Sequence, residues 1–378
     1  MNIKLSYIYI FIIFLFLALC FRLLLPFGSE PDFEHRVSII LGFSERLYLS
    51  VYKYVLEGYS WIPKCDVNYS MTSMTGTISN FMCGEDLLLK ITRWFLQVAF
   101  YSSLVFSILF VSRFWPSNFQ DSTKTDALLV SLIFPSLIYY SGVVAEEVFV
   151  LWVSLISLLF IRKPFIFLTL VFLVFYVEVG GGIILSLFII CLYFFRMIYT
   201  YWGLKGVELI SIFFITICAF LGIKLLQLLT SFPIIGNKVS SIYYAYNFTS
   251  YSEVIDKYPI LLRPIITFMS AIFMTSDGVK AIILYPIIGV GFIYLYYHHR
   301  RKAYKNGQSD IYLSLLATIT FIVSIVFVLP GYTNAKYYIF TLPIFMYAAL
   351  DIFGLRKVIT FNVVCSFVVI IQLFFSRL

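Results

Sequence analysis

Apolar runs of roughly 15 to 22 residues recur along the whole chain, separated by short polar clusters. They lie at 6–26, 95–112, 127–141, 147–161, 164–177, 182–195, 207–230, 260–274, 281–297, 311–330, 337–352 and 358–376. A backbone immersed in hydrocarbon must satisfy its own hydrogen bonds, so runs of this length predict α-helices that cross a membrane. A membrane β-barrel would show short alternating segments instead. The fold class predicted is all-α, a polytopic helical membrane protein read as one integral membrane domain over 1–378. Only 12% of the residues are charged, about half the usual 25% of a soluble domain, and mean hydropathy is +0.96. These values exclude a soluble enzyme, a nucleic-acid binder and a disordered chain. The net charge of +8 therefore reads as loop cations that set topology, with no nucleic-acid partner. The first run reads as a membrane helix rather than a cleaved signal, because it carries Arg22 and ends without a small-residue cleavage pattern.

The cations orient the runs. Lys4, Arg113/Lys124, Arg162/Lys163, Arg196/Lys205, Arg300–Lys305 and Arg356/Lys357 are placed inside. The longest polar stretch, 27–92, and the segment 231–259 then fall outside. One run between 259 and the His298–Lys305 cluster must not cross. The segment 260–274 is short and carries Arg263 and Pro264, so it is expected to be re-entrant or interfacial. About 11 crossings follow, with the run 164–195 split at Glu178–Gly182. Cys20, Cys191, Cys218 and Cys365 lie in apolar runs and read as small core residues. Cys65 and Cys83 share the external loop 27–92 and make a plausible disulfide.

Motifs of nucleotide binding, of zinc hydrolysis and of the CxxC type are absent. Polar residues at the predicted outer ends of the runs are what remains for chemistry. Glu30-Pro-Asp-Phe-Glu-His-Arg36 gathers Asp32, Glu34, His35 and Arg36; in a helix begun at Pro31, Asp32 and Arg36 share a face. They suit a carboxylate base beside a phosphate-binding cation, or simply a solvated helix start. The segment Pro135–Glu147 ends in adjacent carboxylates, Glu146 and Glu147, which either serve a site or cap the next helix at its positive end. Arg263, inside an apolar run, needs an anion, a carbonyl or water. Lys336, followed by Tyr337 and Tyr338, sits in a short external loop against the positive-inside trend. Glu178 adjoins Gly180–Gly182, where a ligand can approach closely. Together these residues suit a lipid-linked phosphate or pyrophosphate donor and a sugar acceptor. Cations would hold phosphate oxygens, a carboxylate would take the acceptor's proton, and aromatic rings would stack on sugar faces.

In layout and in short segments the chain resembles the Wzy-type polymerases of bacterial O-antigen and capsular polysaccharide, and more broadly the GT-C-like polytopic glycosyltransferases. The segments are Glu30-Pro-Asp32 after the first helix, Pro135-Ser…Tyr-Ser-Gly running into Glu146 or Glu147, Arg263-Pro264, and Asn334-Ala-Lys-Tyr-Tyr before Pro343. Such proteins often carry Arg where this chain has Lys336, a change that loses a bidentate fork. The resemblance implies a multi-pass enzyme of the bacterial inner (cytoplasmic) membrane, acting in lipopolysaccharide or capsule synthesis. It would transfer a growing glycan from undecaprenyl pyrophosphate to the terminal sugar of a lipid-linked repeat unit at the outer face. No cofactor and no metal are implied; a chain-length regulator is a conceivable partner. Asp32, Glu34, Glu146 or Glu147 would act as base or orient the acceptor. His35, Arg36, Glu178, Arg263, Lys336 and Tyr337 would bind substrate. A GT-C-like enzyme using a polyprenyl-phosphate sugar, with a divalent ion at Asp32/Glu34, is one alternative. A lipid-linked sugar transporter or flippase is another, but it should carry an internal repeat and mid-membrane charges. No repeat stands out, and only Glu178, Lys224 and Arg22 are candidates for mid-membrane charges.

Overall fold

A computed structural model describes residues 5–24, 94–110 apart from 96 and 109, 122–142, 146–160, 164–231, 240, 268, 284–328 and 338–375. Among these the chain is helical, with no strand. Its elements are α1 (Leu5–Leu24), α2 (Gln97–Ile108), α3 (Ser122–Ser131), α4 (Pro135–Tyr140), α5 (Glu146–Ser157), α6 (Pro164–Val177), α7 (Val179–Leu229), α8 (Leu284–Asn306), α9 (Asp310–Val328) and α10 (Leu342–Phe375). Four helical segments are long and apolar enough to cross a membrane: Ser6–Leu23, Gly180–Gly222, Asp310–Phe327 and Ile339–Gln372. The loop 27–92, with Cys65 and Cys83, lies outside the described residues.

Two of those segments are far too long for one straight crossing, and glycine folds each of them back. Gly203 in α7 has φ 67° and ψ −168°, and Gly354 in α10 has φ 74° and ψ 165°. A Cβ would meet nothing within 4 Å at either position, so the demand is for the backbone conformation rather than for space. The ring centroids of Phe194 and Phe214 lie 6.0 Å apart, where a straight helix would separate them by about 30 Å. Asn362 Nδ2 reaches Met346 Sδ at 3.5 Å, where a straight helix would hold them about 24 Å apart. Each long helix is thus an antiparallel hairpin of two arms. Gly307, at φ 69°, turns α8 into α9 in the same way, and the Tyr296 and Tyr312 rings meet at 5.6 Å across it.

All three turns share one end of the molecule, because side chains near them bind one another. Arg300, seven residues before Gly307, donates from Nε to Glu208 Oε1 at 2.7 Å and from Nη2 to Oε2 at 3.0 Å. Glu208 lies five residues past Gly203 and also accepts from the Tyr312 hydroxyl at 2.5 Å. Lys302 pairs with Asp351, just before Gly354, at 2.8 Å. Buried His299 hydrogen-bonds the Ala348 carbonyl at 3.0 Å. The Arg300–Lys305 cations, expected from the sequence in a loop, are instead the last turns of α8. Further from this end, Phe188, Phe321 and Phe340 stack edge to face at 5.1–6.3 Å. Each is 14 or 15 residues from its glycine, about 21 Å along its helix.

The run 127–141 is broken rather than continuous. Pro135 has no N–H to offer Ser131, so that carbonyl accepts from Phe134 at 3.0 Å, and two more short bonds, Leu132 to Leu129 and Ile133 to Val130, tighten the chain at 3.3 Å. Asn362 and Ser366, one turn apart on the second arm of α10, clamp this break. Asn362 Nδ2 donates to the Val130 carbonyl and Ser366 Oγ to the Ile133 carbonyl, each at 2.9 Å. Both side chains are fully buried, so each bond contributes about 1 kcal/mol, and losing a donor would cost more. The other break, at Glu178, takes one extended residue between α6 and α7. The Gly180–Gly182 run expected there as the turn is in fact the first turn of α7.

Candidate functional site

The short helix α4, aimed by the clamped break, carries its C-terminal carbonyls toward the end opposite the glycine turns. Two side chains from the neighbouring helices take up those carbonyls. Arg22, in the last turn of α1 and only 2% exposed, donates from Nη2 to the Tyr139 carbonyl at 2.7 Å. Gln97, the first residue of α2 and fully buried, donates from Nε2 to the Ile138 carbonyl and to Ser141 Oγ at 2.9 Å. Trp94 Nε1 anchors the same chain to the Leu15 carbonyl at 3.2 Å. Cations favour helix C-termini because the carbonyls there carry partial negative charge, which makes α4 a natural partner for Arg22. The guanidinium lies against Gly142: a Cβ there would stand 2.6 Å from Arg22 Cζ and Nη2. Only glycine lets the cation settle on the turn that leads into Glu146.

Glu146 and Glu147 are the first two residues of α5. Positive helix ends favour acids at those positions. One turn further, Val150 packs on Gly181. Glu178 precedes α7, half-buried, with Oε2 folded over the same glycine. The helix start at Glu146 and the Glu178 carboxylate therefore occupy one layer at the far end. The turn Ile339–Thr341 packs on α5 in that layer, and Tyr338 beside it is 3% exposed. Phe268, from the segment 260–274, reaches the Tyr338 ring at 6.0 Å, Phe292 at 5.5 Å and Phe345 at 6.4 Å. Asp32, Glu34, His35, Arg36, Arg263, Lys336 and Tyr337 lie outside the described residues, as do the side chains of Glu146 and Glu147. Phe268 thus lies beside Tyr338 and among Phe292 and Phe345, which stand 15 and 9 residues from Gly307 and Gly354.

This end also holds buried polar atoms whose hydrogen-bonding capacity no described residue fills. They are Gln97 Oε1, Ser136 Oγ, Trp152 Nε1 and Tyr338 Oη. Buried groups of this kind ordinarily meet a partner, whether protein, water or ligand. The network at the glycine-turn end differs, because Glu208, Arg300 and Tyr312 satisfy one another.

The three candidates for mid-membrane charges stand at different places along the helices. Arg22 is at the far end and shielded by protein; Lys224 is exposed, 21 residues beyond Gly203; Glu178 stands 25 residues before it. Nothing in the sequence alone marks Arg22 or Gln97 as supports of this end, and Asn362 and Ser366 join them as supports. The signal for the last two was present, as polar side chains at i and i+4 inside an apolar run. Among the described residues no three His, Cys, Asp or Glu gather at one point; Asp32 and Glu34, the pair considered for a divalent ion, lie outside them. Cys20, Cys191, Cys218 and Cys365 are free thiols. Comparison with protein-family models, with curated proteins and with solved structures finds no match to this chain.

Proposed function

We propose that this chain is a Wzy-type polysaccharide polymerase with about 11 membrane crossings and a GT-C-like arrangement, its far end facing outward. The observation that carries the reading is the buried Arg22, seated on Gly142 at the entrance to the Glu146–Glu147 helix. The helix that follows begins with two acidic residues, in a layer with open buried polar capacity. An acceptor-sugar hydroxyl would attack the anomeric carbon of the growing glycan. The new C–O bond would form as the bond to the pyrophosphate oxygen breaks. A carboxylate among Asp32, Glu34, Glu146 and Glu147 would take the hydroxyl proton, and undecaprenyl pyrophosphate would leave with the bonding electrons. Arg36, Arg263 and Lys336 would meet the charge that develops on the leaving phosphate, with Glu178, His35 and Tyr337 along the sugar path.

A transporter reading would use the broken helix α3–α4 as an ion site. Here Asn362 and Ser366 occupy the Val130 and Ile133 carbonyls, which favours a structural clamp. Deleting the gene should collapse the surface-polysaccharide ladder to single repeat units on a lipid-linked carrier. Re-expressing the wild-type chain should restore the ladder, and a variant with Asp32→Asn, Glu34→Gln, Glu146→Gln and Glu147→Gln should not. An unchanged ladder after deletion would overturn the proposal, and full loss of in vitro transfer on adding a chelator would favour the metal-dependent alternative.

A further inference from the structure

The glycine-turn end presents more positive charge than its own acids can neutralise. The described cations there are Lys124, Arg196, Lys205, Arg300, Arg301, Lys302, Lys305, Arg356 and Lys357, against Asp126, Glu208, Asp310 and Asp351. Two of those acids are held by Arg300 and Lys302. Lys205, Arg301, Lys305, Arg356 and Lys357 are exposed.

Four of these exposed cations continue stripes of apolar side chains that face outward along the helices, and Arg356 adjoins the fourth, Lys357. On the second arm of α7, Lys205 heads the face of Leu209, Ile212 and Phe213, which are 62–67% exposed. On α8, Val290, Ile293 and Tyr297, 59–69% exposed, lead along one face to Arg301 and Lys305. On the second arm of α10, Lys357 heads the face of Phe361, Val364 and Ile371. Spacings of 3, 4 and 7 residues keep each set on one side of its helix. The first arm of α7 ends in Tyr201 and Trp202, 77% and 66% exposed. Apolar stripes that end at one level in aromatic rings and then cations match the order of a lipid leaflet from acyl chain to headgroup.

We infer that the glycine-turn end is ringed by a binding surface for anionic phospholipid headgroups, whose phosphates pair with Lys205, Arg301, Lys305, Arg356 and Lys357. The surplus charge selects anionic over zwitterionic lipid. The flanking apolar stripes select a lipid over an acidic polypeptide, which would not need acyl-depth side chains in line with the cations. The inference is independent of the polymerase reading.

Trp202 reports on it. The full-length protein is reconstituted in phosphatidylcholine nanodiscs that carry a headgroup spin label on either phosphatidylglycerol or phosphatidylcholine. The Trp202 signal is taken as the difference between the wild type and Trp202→Phe. Phosphatidylglycerol should quench it well beyond phosphatidylcholine at equal label, and raised salt should shrink the excess. The variant with Lys205, Arg301, Lys305, Arg356 and Lys357 all changed to Gln should lose the preference by about tenfold or more. Circular dichroism and monodispersity confirm that the variant is folded, and single Gln changes give graded losses if the full set fails to fold. Equal quenching by both lipids in the wild type would overturn the inference. So would an undiminished preference in the variants, or retention of an acidic polypeptide at this surface without headgroup enrichment.

Discussion

At the scale of single residues, the far end depends on a contact between a cation and a glycine. Arg22 can lie on the turn after α4 only because residue 142 has no Cβ. Gly142→Ala should push the guanidinium off the Tyr139 carbonyl and leave buried polar groups unpaired, at a cost of about 1–3 kcal/mol. The expected outcome is a lowered unfolding temperature in detergent and a shortened or absent polysaccharide ladder, while insertion into the membrane is retained. Arg22→Lys should reproduce part of the loss, since an ammonium keeps the charge but lacks the planar fork. Neither residue's part is legible in the sequence. An Arg at the end of an apolar run reads equally well as a snorkelling side chain; only the packing of α1 against α4 tells them apart. The pair Asn362 and Ser366 is half-legible. Their spacing announces a shared polar face, but their partners are backbone carbonyls more than 230 residues away, and the residues of those carbonyls are apolar.

At the scale of elements, the apolar runs that the structure describes are helical, because the need to satisfy the backbone leaves few choices in hydrocarbon. Their ends were less legible. α8 runs on through the basic cluster to Asn306, since Lys and Arg are good helix formers. The run 127–141 hides the α3–α4 break because Pro135 reads as one tolerated residue in an otherwise helical stretch. The glycine turns could be suspected but not singled out, as Gly291 and Gly206 look alike in sequence and sit inside helices. Substitution separates them. Gly203→Ala or Gly354→Ala puts a Cβ into a left-handed conformation and should cost about 1–2 kcal/mol each. Gly291→Ala, at a helical position with open space around it, should leave stability unchanged or raise it by about 0.5–1 kcal/mol. Thermal unfolding of the three variants in one detergent checks both directions.

At the scale of the whole molecule, α8 is the hub that joins the three hairpins, and His299 is its buried tie to α10. Burial holds the imidazole below its usual pKa of 6.5, while the Ala348 carbonyl and Asp351 pull upward without reversing the shift. The folded state thus binds fewer protons than the unfolded one. The tie's contribution is complete above about pH 6.5 and is lost as the pH falls from there toward the lowered folded value. Stability of the detergent-solubilised protein should drop over that interval, and His299→Gln should flatten the drop. A wild-type profile level from neutral to mildly acidic pH would contradict this account of α8.

The three hairpins also divide the labour of change between the two faces. At the glycine-turn end the two arms of α7, the pair α8–α9 and the two arms of α10 are each joined through a single left-handed glycine, so these three turns have little slack to lengthen or shorten. The connections 25–93 and 232–283 leave from helix ends on the opposite face. Insertions and exchanges of sequence can accumulate on that side while the helical frame is inherited intact.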